Sequence, residues 1–308
     1  EAMRLETPIQ TVGRLTLCDV TVDGTRIPAD RKVMMFLASA NRDPDFWDRP
    51  DDYDMTRSRL GHVALGNGIH MCIGQMIAQG LLEAGARVFI CARDAEACAD
   101  TATRLSAYGD CQAIPADLSS EAGARRLAEA LGGLSARLDI LVNNAGTSWG
   151  AALESYPVSG WEKVMQLNVT SVFSCIQQLL PLLRRSASAE NPARVINIGS
   201  VAGISAMGEQ AYAYGPSKAA LHQLSRMLAK ELVGEHINVN VIAPGRFPSR
   251  MTRHIANDPQ ALEADSASIP MGRWGRPEEM AALAISLAGT AGAYMTGNVI
   301  PIDGGFHL

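Results

Sequence analysis

From Val63 onward the chain alternates short apolar runs with longer amphipathic stretches, and this alternation leaves few folds open. The runs Val63–Leu65, Arg87–Cys91, Cys111–Pro115, Leu138–Asn143, Arg194–Ile198, Asn238–Ile242 and Asn298–Ile302 read as strands. Between them, Gly74–Glu83, Glu96–Ala107, Ala122–Leu131, Val158–Arg184, Tyr212–Val233 and Glu278–Ala288 carry apolar residues at helical spacing. Strands separated by helices cannot pair as hairpins. Each returns through a crossover, which gives a parallel sheet with helices on both faces. The expectation is a single α/β domain over residues 62–308, built on a doubly wound, parallel, seven-stranded sheet.

Residues 1–61 have a different pattern. A strand-like Leu15–Val22 runs into Asp23-Gly24, a hairpin dipeptide, and a second apolar run, Val33–Ala38, leads to Asn41-Arg42-Asp43-Pro44. An acidic loop, Asp45–Asp54, comes next. The segment has too few apolar residues to enclose a core, so it reads as an appendage of irregular and hairpin structure rather than a domain. The net charge of −5 argues against a nucleic-acid or anionic-membrane surface, and no run is long and apolar enough to span a membrane. The six cysteines are scattered without a Cys-x-x-Cys pair, which suits reduced thiols and a cytoplasmic location. A chain that starts at Glu1 rather than Met reads as a fragment, a processed product or an engineered one.

The join between the two patterns, His62–Gly74, supports two readings. Grouped with the α/β part, Val63–Leu65, a glycine-bearing turn and a helix from Gly74 form the strand–turn–helix of a dinucleotide-binding loop, as in Rossmann-type folds. Grouped with residues 1–61, His70-x-Cys72-x-Gly74 is a loop that presents a thiolate to heme iron.

Further along, Tyr214 and Lys218 are spaced to share one helix face, and a nearby ammonium favours the phenolate. Ser200 lies just past a strand end, where catalytic groups of such sheets project. Asn143-Asn144-Ala145-Gly146 closes another strand, Asn168 lies within a helical stretch, and Pro244-Gly245 closes a third strand. Taken alone, Asn168 also reads as a packing amide and Asp117 as a helix N-cap.

In order and spacing, these pieces resemble the short-chain dehydrogenase/reductase family over residues 62–308. The resemblance implies Tyr214 as proton donor to a substrate carbonyl and Ser200 as the group that orients it. Lys218 would lower the Tyr pKa and hold the nicotinamide ribose, and Asn168 would position a water in the proton relay. On the cofactor side it implies Gly68 and Gly74 in the glycine loop and Asn144, Ala145 and Gly146 along the cleft. Asp117 would meet the adenine, Pro244 and Gly245 would bind the cofactor, and Ser249 would contact its carboxamide. Arg93, where an NAD enzyme would carry an acid for the ribose, suits a 2′-phosphate and so NADP(H).

Cys91-Ala92-Arg93-Asp94, Thr147-Ser148-Trp149-Gly150 and Gly245-Arg246-Phe247-Pro248-Ser249-Arg250 resemble, more narrowly, the β-ketoacyl reductases of bacterial rhamnolipid biosynthesis. That likeness implies NADPH-dependent reduction of 3-oxoacyl thioesters, carried on a small molecule or a carrier, to (3R)-hydroxyacyl products. It also implies a homo-oligomer, tetrameric in the family.

Glu1-x-x-Arg4, Ala40–Pro44, Pro50–Asp54 and the His70-x-Cys72 loop resemble the C-terminal end of a cytochrome heme-thiolate monooxygenase. The resemblance ends near Ala78, and about 75 residues cannot wall a heme cavity, so Cys72 is a heme ligand only under this alternative. The chain therefore reads as a chimera joined inside His62–Gly74. Laid on the family pattern Thr-Gly-x-x-x-Gly-x-Gly, Cys72 takes the middle glycine's place and Met71 that of a frequent arginine. The expectation is a reductase impaired at its glycine loop. The alternatives are a folded chimera without catalytic activity and a heme-thiolate monooxygenase fragment.

Overall fold

The computed structural model describes residues 11–15, 19–22, 25–29, 32–36, 72–206, 210–249 and 251–308. The chain divides into two compact units, Glu1–Ile69 and His70–Leu308.

In the first unit, β1 (Thr11–Leu15) pairs antiparallel with β4 (Lys32–Phe36), Thr11 facing Phe36. Strands β2 (Val20–Val22) and β3 (Thr25–Ile27) form a second antiparallel pair with Val22 opposite Thr25, as the Asp-Gly dipeptide between them predicts. The expected continuous strand Leu15–Val22 is thus two strands, because its two ends serve different partners. The Asp19 carboxylate accepts from Arg26 and from the Ala29 amide, which ties the chain after β3 back to the residue before β2.

The second unit is the alternating α/β part. Strands β7 (Ile140–Asn143), β8 (Ala193–Ile198), β9 (Ile237–Pro244) and β10 (Val299–Ile302) form a parallel sheet in that order. Strands β5 (Val88–Ile90) and β6 (Cys111–Ala113) pair in parallel beside each other. Among the described residues the parallel strands therefore fall into a group of four and a group of two. In a doubly wound order the first strand lies between those groups; the expected first strand, Val63–Leu65, is outside the described residues.

Both faces of the sheet are covered. Helix α1 (Ile73–Glu83) buries Met76, Ile77 and Leu81 with Ile196, Ile198 and Ile242 of the sheet. Met280, Ala284 and Leu287 of α9 (Pro277–Ala288) join the same cluster. A Cβ on Gly80 would lie 2.6 Å from that of Ala281, so this glycine sets how closely α1 and α9 approach. On the opposite face, Val195, Ile237 and Val239 pack against α5 (Ser171–Ser186) and α6 (Tyr214–Leu232). Helices α2 (Ala95–Leu105) and α3 (Glu121–Leu134) come after β5 and β6, each with a side-chain N-cap, Asp94 and Ser120 respectively.

The helices depart from the expected set in two places. The stretch Val158–Arg184 is not one α-helix: α4 (Val158–Met165) is succeeded by a π-helical turn, Gln166–Thr170, before α5 begins. Such turns insert an extra residue that redirects a side chain, and here that side chain is Asn168. The short helices α7 (Arg253–Ala256) and α8 (Pro259–Ala267) are additions to the expected set. For α8 the signal is present in the sequence: Asp258 caps the Gln260 and Ala261 amides at 3.0 and 3.3 Å, with Pro259 at the first helical position. No described helix is long and apolar enough to cross a membrane.

Candidate active site

The parallel registers bring three strand ends to one edge, Asn143 opposite Asn197 and Ile198 opposite Ile242. The loops after β7, β8 and β9 leave from that edge. A polar chain fixes it to α6: Asn143 Nδ2 donates to Asn197 Oδ1 at 2.8 Å, and Asn197 Nδ2 to Ser225 Oγ at 2.9 Å. The Ser225 hydroxyl then donates to the Leu221 carbonyl. Buried amides satisfied in this way orient the sheet and helix uniquely, because any slip would strand one of them without a partner.

Helix α6 presents Tyr214 at its first turn and Lys218 one turn on. Lys218 is only 4 % exposed, and its Nζ donates to the Ile198 carbonyl at 2.8 Å and sits 5.7 Å from the Tyr214 ring centre. Burial pushes its pKa down to about 8. Asn168 is fully buried: Oδ1 accepts the Thr147 amide at 2.8 Å, while Nδ2 donates to the Thr147 carbonyl and to Ser217 Oγ, both at 2.9 Å. Its amide clamps the loop after β7 onto α6. A Cβ on Gly146 would fall 3.3 Å from Asn168 Oδ1 and 3.6 Å from Lys218 Nζ, so a glycine here lets the backbone pass close to both. Ser200, past the end of β8, accepts the Ala202 amide on Oγ at 3.2 Å, which leaves its hydroxyl proton to donate elsewhere.

Of the expected cofactor residues, Asn144, Ala145 and Gly146 follow β7 and Gly245 follows β9 at that edge. Gly74 is in the first turn of α1, where a Cβ would strike Asn144 Nδ2 at 2.6 Å. Cys72 is the exposed N-cap of α1 and makes no side-chain cap; its Sγ accepts from Asn144 Nδ2 at 3.4 Å. Gly68, His70 and Met71 lie outside the described residues, as do Glu1, Arg4 and residues 40–54. Arg93 is exposed just beyond β5, and its charge helps hold the Asp117 carboxyl below the usual range, behind a larger effect from hydrogen bonds with Ser119. Asp117 is not the helix cap that its position allows. Ser120 caps α3, and Asp117 Oδ1 accepts the Ser119 amide at 3.0 Å. Ala145 is exposed, next to Gly146. Pro244 ends β9, and Gly245 passes so close to Asp303 that a Cβ would meet its Cβ at 2.5 Å. Ser249 bonds locally with Thr252, Oγ to Oγ1 at 3.0 Å.

Several contributors are not apparent from the sequence alone. Tyr156 places its hydroxyl 3.2 Å from the Trp149 carbonyl, to which it donates, and 3.4 Å from the Ala213 amide, from which it accepts, directly before Tyr214. Ser217, Asn197, Ser225 and His222 are buried polar groups around the same helix. Their only signal is a polar residue at a position where the period demands an apolar one.

Similarity to known proteins is strong for this unit. The family model described as enoyl-(acyl carrier protein) reductase matches residues 68–307, and the cytochrome P450 model matches residues 1–84. The rhamnolipids biosynthesis 3-oxoacyl-[acyl-carrier-protein] reductase of Pseudomonas aeruginosa is 95% identical over 251 residues, covering 82% of this chain and 98% of the relative. The 3-oxoacyl-[acyl-carrier-protein] reductase FabG of Escherichia coli is 32% identical over 248 residues, covering 80% and 98%. Among solved structures, the Pseudomonas aeruginosa RhlG/NADP active-site complex matches with a TM-score of 0.76 at 99% identity, over 77% of this chain and 92% of that one. Through residues 68–307, the chain belongs to the short-chain dehydrogenase/reductase family of oxidoreductases.

Proposed function

We propose that the chain is an NADPH-dependent carbonyl reductase of 3-oxoacyl thioesters, yielding (3R)-hydroxyacyl products, with cofactor binding weakened at the glycine loop. The observation that carries this reading is the gathering at one strand edge of Lys218, 5.7 Å from the Tyr214 ring, and Asn168, with the Gly146 backbone close beside both. A donor ammonium beside a closely approaching backbone suits a ribose and nicotinamide. When bound, NADPH supplies the hydride to the carbonyl carbon. The chain's part is to bind, orient and protonate. The Ser200 hydroxyl donates to the substrate carbonyl oxygen and fixes its direction. Tyr214 gives that oxygen its proton, and the Lys218 ammonium stabilises the phenolate left behind. Asn144, Ala145, Gly146, Pro244, Gly245 and Ser249 would hold the cofactor, with Asp117 toward the adenine and Arg93 toward the 2′-phosphate.

At the pyrophosphate end the fit is poorer. A sulfur stands at the N-terminus of α1, where close backbone approach is needed. The relative named for rhamnolipid biosynthesis supports an acyl-carrier substrate. The domain assignment that accompanies this reading is a reductase over residues 62–308 behind a heme-protein-like tail over 1–61. The assembly expected is a homo-oligomer in the cytoplasm.

NADPH oxidation on adding a 3-oxoacyl thioester tests the reading. Tyr214→Phe should abolish turnover, a loss of roughly 100-fold or more, and leave NADPH affinity nearly unchanged. Retained turnover would remove Tyr214 from its role. A parent chain that folds but binds no NADPH would favour a non-catalytic chimera.

A further inference from the structure

Resting on that reading, we infer that His222 is a positioning residue for Ser200: its imidazole accepts the Ser200 amide and so sets the direction of the substrate-orienting hydroxyl. The Gly199 amide makes the last bond from this strand to β9, donating to the Ile242 carbonyl at 2.7 Å. The next amide, Ser200, leaves the ladder and donates instead to His222 Nε2 at 3.4 Å. An amide buried at this depth is costly without an acceptor, so the ring determines where the chain turns.

The surrounding backbone is shaped to the ring. A Cβ on Gly199 would lie 2.3 Å from His222 Nε2, and one on Gly203 2.8 Å from Cε1. At Gly199 the ring takes the room of a side chain, and at Gly203 the α6 backbone of Lys218 and Ala219, 2.7 Å from such a Cβ, takes it together with the ring. His222 stands one turn beyond Lys218 on α6. The helix that carries the proton donor therefore also fixes the serine, and the two groups that meet one carbonyl oxygen share a single rigid support.

Accepting a hydrogen bond requires Nε2 to be unprotonated. Burial, with help from the charges of Lys218 and Arg226, pushes the His222 pKa down to about 4. From the C-terminal segment, His307 lines the same cavity of about 430 Å³ and is itself paired with Asp303 at 2.7 Å. The ring is thus neutral throughout the physiological range.

The test uses the full chain. His222→Leu removes the acceptor and should lower kcat by roughly 10- to 100-fold while leaving NADPH affinity within about twofold. His222→Gln, whose amide oxygen can accept, should recover most of that loss. In a Ser200→Ala background, His222→Leu should cost less than about twofold more, because the two act as one unit. Independent losses that multiply would overturn the inference, since a merely structural histidine gives that result. A measurement on the unsubstituted chain stands apart from catalysis: the Ser200 amide should be protected in hydrogen exchange, and more so than in His222→Leu. Free exchange at Ser200 in the unsubstituted chain also overturns it. If the chain shows no turnover at all, the reductase reading fails while the exchange measurement still decides the role of His222.

Discussion

In the proposed reading the site has a catalytic end and a pyrophosphate end, and the described residues of the two are held differently. At the catalytic end, buried polar groups are tied to the backbone and to one another. Asn168 makes three hydrogen bonds, and Lys218 is buried against the Ile198 carbonyl. Asn143, Asn197 and Ser225 tie the strands to α6. At the other end, Cys72 opens α1 with no side-chain cap, and its sulfur accepts from Asn144 at 3.4 Å. Such a contrast locates where a foreign segment can be joined. The catalytic groups depend on β7, β8, β9 and α6, none of which includes the join. On the proposed reading, a replacement that stops at the glycine loop would change phosphate binding and leave the proton chemistry in place.

The largest effect that separates the two ends is at Lys218. Lys218→Met should lower kcat by about 1,000-fold through loss of the ammonium beside Tyr214. It should also change stability in a direction fixed by burial. The folded pKa of about 8 lies below the reference 10.5, so between those values the unfolded chain binds more protons and stability rises with pH. Below about 8 the full penalty of burying the charge applies. Thermal melts should show that rise for the parent and lack it in Lys218→Met; identical profiles would mean the ammonium is not buried as described.

The adenine side is next. Removing a charge-assisted partner costs about 1.5–3 kcal/mol, so Arg93→Ala should weaken NADPH binding by roughly 10- to 100-fold and NADH binding far less. Equal losses would take Arg93 away from the 2′-phosphate. At the join itself, Cys72→Gly should strengthen NADPH binding by about 5- to 10-fold, since glycine is tolerated at an N-cap and lets phosphate reach the first-turn amides. No gain in a titration would show that the sulfur is no obstruction, and the contrast between the two ends would collapse.

Much of the α/β part is legible in the sequence, for identifiable reasons. Its strands and helices are readable because long elements with strong periodicity declare themselves: α6 is expected over Tyr212–Val233 and spans Tyr214–Leu232. The spacing of Tyr214 and Lys218 is a direct consequence of helix geometry. The π-turn is not legible, because one extra residue leaves the apolar period of Val158–Arg184 nearly intact. Asp117 reads as a possible cap because two nearby residues, Asp117 and Ser120, offer equivalent side-chain acceptors, and only the folded backbone chooses Ser120. His222 and Tyr156 stay hidden because their partners are backbone amides, Ser200 and Ala213, and backbone atoms leave no mark in a sequence.

Tyr156 gives the smallest and finest test of the contrast. Its hydroxyl joins the Trp149 carbonyl to the Ala213 amide, and its ring stacks edge-on against Tyr212 at 5.6 Å. The ring and the hydroxyl are separable. Tyr156→Phe keeps the aromatic contact and removes the bridge's two neutral hydrogen bonds, each worth about 0.5–1.5 kcal/mol. If that bridge steadies the first turn of α6, kcat should fall by about two- to fivefold, with NADPH affinity unchanged because the pyrophosphate end is untouched. A shift in NADPH affinity as large as the fall in kcat would mean that the two ends are coupled through this loop, and the catalytic half would not be the self-contained unit that its hydrogen bonds describe.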